Sequence, residues 1–179
     1  MFKNTLLQAL EEAAKEIRRF DEIDFQISEK EGVNNLVTEV DHASEKVIID
    51  VIKKNFPEHQ ILSEEIGELV QDSQYKWIID PIDGTVNFAH RIPICAISIG
   101  LEQNGEMILG GIYNPYLNEM FLAERGKGAT LNDKPIHVSK KASVAKACLV
   151  TGFPYTYLDE PNGYERTDRN FYVRRVWID

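Results

Sequence analysis

Asp80 and Asp83 are the residues of this chain whose type and spacing most clearly predict chemistry. They follow an apolar run and flank Pro81 and Ile82. Because Pro81 fixes φ and lacks an N–H, we expect the chain to turn there and to bring the two aspartates together. Both carboxylates and the Ile82 carbonyl would then face one point. Oxygen ligands at about 2.0–2.1 Å suit Mg²⁺, so the segment predicts a magnesium site.

Gly84 and Thr85 follow directly and predict a site for an anion. A glycine lets a ligand approach the backbone closely. Thr85 begins a predicted helical turn, whose first N–H groups lack partners within the helix and favour negative charge. Cation ligands beside a phosphate-sized site form the layout that phosphate-ester hydrolysis needs. Asp-Pro-x-Asp-Gly is also typical of a plain surface turn, but the apolar run before it favours the metal site.

Glu64 is a candidate for a third carboxylate at the same place. It follows a short predicted strand over residues 59–63. Three acidic groups together would repel one another and raise some of their pKa values, and divalent cations would relieve this repulsion. We expect two ions, about 3.5–4 Å apart. Taken alone, the pair Glu64-Glu65 is more typical of a solvated surface.

The order of the predicted elements indicates an α+β fold. Apolar residues recur at helical spacing over residues 4–20 and again over 39–55. Short strands are predicted at 25–28, 59–63, 75–79 and 147–151, and three antiparallel strands at 95–101, 107–113 and 119–123. Helices followed by an antiparallel sheet are typical of a layered α+β domain. The predicted inner stripe of the second helix comprises Val40, Ser44, Val47, Ile48, Val51 and Ile52.

Composition limits the classes of function. The chain has 179 residues and a formal charge of −9, which argues against nucleic acid as a substrate. Cys95 and Cys148 lie in apolar runs and are predicted to be buried free thiols, as in a reducing compartment. No apolar stretch approaches the ~18 residues of a membrane span, and the N-terminal helix is too charged for a signal peptide. We therefore expect a cytoplasmic protein with a single domain over residues 1–179.

A long segment of the chain resembles the signature of the inositol monophosphatase family. Other segments match the family in the same order, at residues 36–41 and 63–65, and at 112–115, 124–129 and 151–154 as in bacterial members. The resemblance implies the layered αβαβα sugar-phosphatase fold, here its N-terminal portion, with helices packed on a mainly antiparallel sheet. The signature reads Trp77-Ile78-Ile79-Asp80-Pro81-Ile82-Asp83-Gly84-Thr85-Val86-Asn87-Phe88.

The resemblance also implies a set of metal ligands. Glu64, Asp80, Asp83 and the Ile82 carbonyl would bind two or three Mg²⁺ ions, with Asp80 bridging two of them. Water activated by the metal would attack phosphorus in line, and the metals would stabilise the leaving alkoxide.

Further roles follow from the same resemblance. Thr85 and Glu64 would orient the attacking water, and Asp41 would hold the Thr85 hydroxyl. Lys30 would lie on a mobile loop over the site. The positions implied to bind the substrate phosphate are Asp83, Gly84 and Thr85.

The family implies a phosphoric monoester hydrolase acting on a small phosphorylated polyol or sugar. Inositol 1-phosphate is the default substrate, and fructose 1,6-bisphosphate or a nucleotide 3′-phosphate are alternatives. A homodimer is expected from the family. A second hypothesis is a non-catalytic binding or regulatory protein that has the same fold and an incomplete site.

The sequence departs from the family pattern towards its end. The family has a later Trp-Asp segment that supplies another metal-binding aspartate. Trp177-Ile178-Asp179 has the wrong spacing for that segment. We therefore expect the C-terminal part of the fold to be absent, and we expect weak or no turnover from residues 1–179.

Overall fold

The structure is a computed structural model that describes residues 1–20, 27–29 and 36–148, with the strands at 27–29 and 36–38 described by their backbone alone. Its α-helices are α1 (Phe2–Arg19), α2 (Glu39–Asn55) and α3 (Thr85–Ala89). Its first five strands are β1 (Ile27–Glu29), β2 (Leu36–Thr38), β3 (Gln60–Ser63), β4 (Gly67–Leu69) and β5 (Tyr75–Asp83). The later strands are β6 (Ala96–Gln103), β7 (Glu106–Asn114), β8 (Glu119–Glu124), β9 (Gly128–Leu131) and β10 (Lys134–Ile136).

Most of the described strands belong to one mixed sheet. Its eight strands run in the order β10-β9-β8-β7-β6-β5-β3-β4, and β1 pairs with β2 separately. Every neighbouring pair in the large sheet is antiparallel except β3 and β5, which are parallel. The prediction of helices with a mainly antiparallel sheet is confirmed. The short strands β2, β4, β9 and β10 were not predicted, because three or four residues carry too little alternation to be recognised.

The two long helices pack on the sheet and on each other. α1 contacts β6 and β7, whereas α2 contacts α1 and β5. The amphipathic face of α1 buries Leu6 and Leu10 completely, and both side chains lie directly over Gly111 of β7. Burying a leucine side chain stabilises a fold by about 1.5–3 kcal/mol, so this contact is a major part of the core.

The described residues fall into two compact units, one that contains residues 1–20, 27–28 and 36–136 and one that contains residues 29 and 137–148. The first unit contains the three α-helices and the large sheet. In the described part of the second unit, Val144–Lys146 form a short 3-10 helix. The single domain over residues 1–179 stays a prediction. No helix in the described ranges is long and apolar enough to cross a membrane.

The two cysteines differ from each other, which corrects one prediction. Both are free thiols, and Cys95 is buried as expected, but Cys148 is exposed. An apolar run around a cysteine is not sufficient to bury it, because burial depends on what packs against the run. Residues 147 and 148 are not in a strand, and the remainder of the strand predicted at 147–151 lies outside the described residues.

The glycine pair in β7 gives a test of the packing between α1 and the sheet. A Cβ at Gly111 would lie 2.5 Å from Leu6 Cδ2 and 2.8 Å from Leu10 Cδ1, whereas a Cβ at Gly110 would meet nothing within 4 Å. We expect Gly111→Ala to lower the free energy of unfolding by about 1–3 kcal/mol through overpacking. The matched variant Gly110→Ala should be neutral or stabilising. Urea unfolding measures both, and equal effects of the two substitutions would contradict this packing.

Candidate functional site

Glu64 and Asp80 are brought together by the parallel pair in the sheet. Ser63 at the end of β3 pairs with Ile79 of β5, and the Glu64 N–H donates to the Ile79 carbonyl at 3.2 Å. Glu64 directly follows β3, and Asp80 directly follows Ile79 within β5. Because the parallel register aligns these two positions, the two carboxylates lie side by side and interact.

Asp80 and Asp83 are joined by a β-bulge, and the turn predicted at Pro81 is wrong. β5 continues to Asp83, with Asp80 paired to Ser98 and Asp83 paired to Ala96 of β6. Three steps along β5 therefore oppose two steps along β6, which leaves one extra residue on β5. A proline has no N–H for the ladder, and a bulge is one of the few places in a sheet that accommodates it.

The carboxyl group of Asp80 is in an unfavourable environment for a negative charge. Burial, followed by the charges of Glu64 and Asp83, raises the pKa of Asp80 from 3.8 to about 7. Asp80 Oδ1 is shielded from solvent, and no hydrogen-bond donor within the described residues contacts it. An unsatisfied buried carboxylate oxygen is costly, and a hard cation is a partner that would satisfy it. The residues present therefore fit a divalent cation.

The three predicted carboxylates are neighbours that differ in exposure. Glu64 and Asp83 are exposed, whereas Asp80 is half-buried. The charges of both Glu64 and Asp83 act on Asp80. Within the described ranges, no group of three or more His, Cys, Asp or Glu side chains is arranged to hold one ion. The metal ligands named from the sequence therefore stay a prediction.

Thr85 links two other predicted site residues. Its Oγ1 lies 3.0 Å from Asp41 Oδ1 and 3.0 Å from the Ile82 carbonyl oxygen. A hydroxyl carries one proton and can donate to only one of these acceptors at a time. The structure thus brings Asp41, Ile82 and Thr85 into one cluster, with Asp41 only 1% exposed.

Gly84 forms the N-cap of α3 in a conformation that requires glycine. Its φ of 89° and ψ of 37° are left-handed, and an added Cβ would lie 3.1 Å from the Ile94 carbonyl oxygen. α3 begins at Thr85, as predicted. Gly84 and Thr85, which are predicted to bind phosphate, therefore come directly after the bulge that contains Asp83.

Two buried polar residues of α2 also belong to this region. Ser44 Oγ donates to the Pro81 carbonyl at 3.0 Å. Glu45 Oε1 accepts hydrogen bonds from Ser63 Oγ and from the N–H groups of Glu65 and Ile66. Sequence analysis placed Ser44 in the inner stripe but missed Glu45. A glutamate within a helix is usually solvated, and no signal in the sequence marks this one as buried.

Lys30, predicted on a mobile loop, lies outside the described residues. A cavity of about 180 Å³ beside α3 is lined by none of the predicted ligands. The cavity is lined by Phe88, Arg91, Ile92, Pro93 and Tyr116.

A family model matches almost the whole chain, and individual curated relatives match a smaller part of it. A sequence model of the inositol monophosphatase family matches residues 2–175. An inositol-1-monophosphatase from Synechocystis is 49% identical over 131 residues, which are 73% of this chain and 46% of that protein. The Nus factor SuhB of Escherichia coli K12 is 44% identical over 127 residues, 70% of this chain and 48% of that protein. The chain thus spans about half the length of the curated relatives it matches.

Solved structures confirm the predicted fold class. The extragenic suppressor protein suhB from Bartonella henselae superposes with a TM-score of 0.82 at 38% identity, over 89% of this chain and 65% of that one. The inositol monophosphatase from Anabaena superposes with a TM-score of 0.78 at 39% identity, over 90% of this chain and 58% of that one.

The raised pKa of Asp80 predicts how stability depends on pH without metal. The folded state holds the Asp80 proton up to about pH 7, whereas the unfolded chain releases it near 3.8. The stability that the folded state gains from protonated Asp80 is therefore fully present below pH 3.8 and is lost as pH rises through about 7. Asp80→Asn has no carboxyl group to ionise, so its stability does not fall in this way. Relative to wild type, we expect the variant to become more stable between about pH 5 and pH 8.

Urea unfolding in EDTA at these two pH values measures the effect. Asp72→Asn is the matched control, because Asp72 is exposed and its substitution removes the same charge. The difference between the control and wild type should be the same at both pH values. If the free energy of unfolding of Asp80→Asn differed from that of wild type by the same amount at both pH values, the environment described for Asp80 would be contradicted.

Proposed function

The chain belongs to the inositol monophosphatase family, and we propose that it carries the Mg²⁺-dependent phosphatase site of a phosphoric monoester hydrolase. The single observation that carries the proposal is the solvent-shielded Oδ1 of Asp80, which lacks a donor among the described residues, beside the carboxylate of Glu64. A protein of net charge −9 that handles phosphate needs local positive charge. Bound divalent cations would supply it.

The arrangement of the acids supports two overlapping cation sites that share Asp80. Glu64, Asp80 and the Ile82 carbonyl would hold one ion, and Asp80 with Asp83 would contribute to a second. Two sites of this kind do not need three carboxylates around one ion, and the described side chains show no such group. Bound Mg²⁺ would supply Lewis acidity towards a phosphoryl oxygen and stabilise charge that develops on the leaving oxygen.

Thr85 has the geometry to position a water molecule. When the Thr85 hydroxyl donates its hydrogen bond to Asp41 at 3.0 Å, the Thr85 oxygen keeps lone pairs that can accept a hydrogen bond from water. If a cation were bound to the Ile82 carbonyl oxygen, which lies 3.0 Å from the Thr85 hydroxyl, that oxygen would compete less well for the hydroxyl proton. The hydrogen bond from Thr85 to Asp41 would then be favoured. Asp41 acts through Thr85 in this scheme, and Glu64 would orient the same water from the other side.

The proposed substrate is a small phosphorylated polyol or sugar. The N–H groups at the start of α3 and the open backbone at Gly84 would hold the phosphate next to Asp83. Inositol 1-phosphate is the first substrate to test, because the Synechocystis relative is named an inositol-1-monophosphatase. Fructose 1,6-bisphosphate and a nucleotide 3′-phosphate are the other candidates.

A non-catalytic regulatory role is the second candidate. It is favoured by the name Nus factor SuhB, carried by relatives from Escherichia coli, Haemophilus influenzae and Pasteurella multocida. Such a role would not require turnover.

Phosphate release from inositol 1-phosphate by the 179-residue chain, with and without Mg²⁺, tests the proposed function. Because the sequence predicts weak or no turnover from residues 1–179, we expect release to be slow at most. Any release should depend on Mg²⁺ and fall at least about a hundredfold in Asp80→Asn, because that variant cannot bind the cation as a carboxylate does. Calorimetric titration with Mg²⁺ should show binding to wild type and none to Asp80→Asn. Fructose 1,6-bisphosphate and a nucleotide 3′-phosphate are assayed in parallel.

Asp72→Asn, which removes one exposed carboxylate, should retain both binding and release. Binding of Mg²⁺ without release from any of the three substrates would favour a chain with an incomplete site, as the regulatory role also requires, over catalysis by this chain. If wild type binds no Mg²⁺, or if Asp80→Asn binds it equally well, the proposed site is wrong.

A further inference from the structure

We propose that Glu45 is a positioning residue that holds Glu64 beside Asp80 by anchoring the backbone after β3. This inference rests on the proposed function, because it gives Glu45 a task in a site that binds cations. Glu45 lies on α2 and contacts the residues on either side of Glu64 in sequence, so it acts through the backbone and not on the substrate.

The hydrogen bonds of Glu45 surround the position of Glu64. Ser63 Oγ donates to Glu45 Oε1 at 2.5 Å, and the N–H groups of Glu65 and Ile66 donate to the same oxygen at 3.2 and 3.1 Å. The Glu64 N–H itself donates to Ile79 of β5 at 3.2 Å. The backbone from 63 to 66 is therefore tied on one side to α2 and on the other to the strand that carries Asp80.

The burial of Glu45 makes this attachment specific. Its side chain is 2% exposed and is among the largest fully buried side chains of the described chain. A buried acidic side chain is costly unless it is hydrogen-bonded, and here the carboxyl group accepts from one hydroxyl and two backbone donors. If residues 63–66 moved away, Glu45 would lose all three of these partners. Buried hydrogen-bonding groups that are left without partners are costly, so these bonds hold the segment in one conformation.

Neighbouring residues of α2 support the other parts of the site in the same way. Asp41, Ser44 and Glu45 are three and four positions apart and so lie on one face of the helix. Asp41 accepts from Thr85, and Ser44 donates to the carbonyl of Pro81. A single helix face thus contacts both chain segments that carry the proposed ligands, residues 63–66 and 80–85, and Glu45 is its link to Glu64.

Two readouts test the role of Glu45 in the full chain. Amide hydrogen exchange by NMR reports whether Glu65 and Ile66 remain held, and calorimetry reports the affinity for Mg²⁺. For Glu45→Leu, which fills similar space without an acceptor, we expect exchange at both amides to become at least about tenfold faster. The affinity for Mg²⁺ should fall about ten- to a hundredfold, as is typical when a group that orients a metal ligand is lost.

Three further variants separate positioning from general stability. Glu45→Gln keeps a carbonyl acceptor of the same shape and should restore much of both the amide protection and the affinity. Ser63→Ala removes one of the three donors and should show a smaller loss, which keeps the test decisive if Glu45→Leu does not fold. Asp50→Ala removes an exposed acid from the same helix, where it pairs only with Lys46 at 2.7 Å in the contacts described, and should change neither readout.

The outcomes separate this inference from the proposed function. If wild type binds Mg²⁺ and the Glu45 and Ser63 variants bind it equally tightly with protected amides, the inference is overturned while the function stands. If wild type binds no Mg²⁺, the proposed function fails and exchange alone decides. Faster exchange in Glu45→Leu or Ser63→Ala but not in Asp50→Ala then supports the anchoring by Glu45, and unchanged exchange overturns it.

Discussion

The hydrogen bonds from one face of α2 are the interaction on which the arrangement of the site depends. Asp41, Ser44 and Glu45 are all at most 2% exposed, and each forms hydrogen bonds with different residues of the two segments that carry the site. Buried polar groups of this kind specify one arrangement, because any other leaves them without partners. The helix that supplies them is held by apolar contacts with α1 and β5, so the segments it binds are attached to the core.

Two irregularities of the sheet then determine which atoms meet. The parallel pairing of β3 with β5 aligns Ser63 with Ile79 and so places Glu64 beside Asp80. The bulge in β5 accommodates Pro81 and carries Asp83 to the surface, next to the left-handed Gly84. Both features concentrate negative charge around a half-buried aspartate whose pKa is raised to about 7. Such a concentration of negative charge is unfavourable without a cation, and a bound cation would relieve the repulsion.

The sequence predicted the elements better than it predicted their contacts. The bounds of α2, the strand before Asp80 and the glycine at the start of α3 follow from local patterns of spacing and conformation. The bulge was missed because Pro81 favours a turn locally, and only the pairing with β6 shows that the strand continues. Glu45 was missed for a similar reason, since its burial depends on residues 63–66, which are distant in sequence. The buried face of α2 is therefore rotated towards Asp41 and Glu45, relative to the predicted stripe that included Val47 and Val51.

The central claim is that divalent cations bind where Glu64, after β3, lies beside the bulged end of β5. Mn²⁺ favours the same oxygen ligands as Mg²⁺ and broadens the NMR signals of nearby nuclei, so a titration with small amounts of Mn²⁺ locates the site directly. The account predicts that the amide signals of Glu64, Asp80, Ile82 and Asp83 broaden first and recover when excess Mg²⁺ is added. Broadening that begins elsewhere on the acidic surface, such as at Glu11 and Glu12 of α1, or that Mg²⁺ does not reverse, would contradict it.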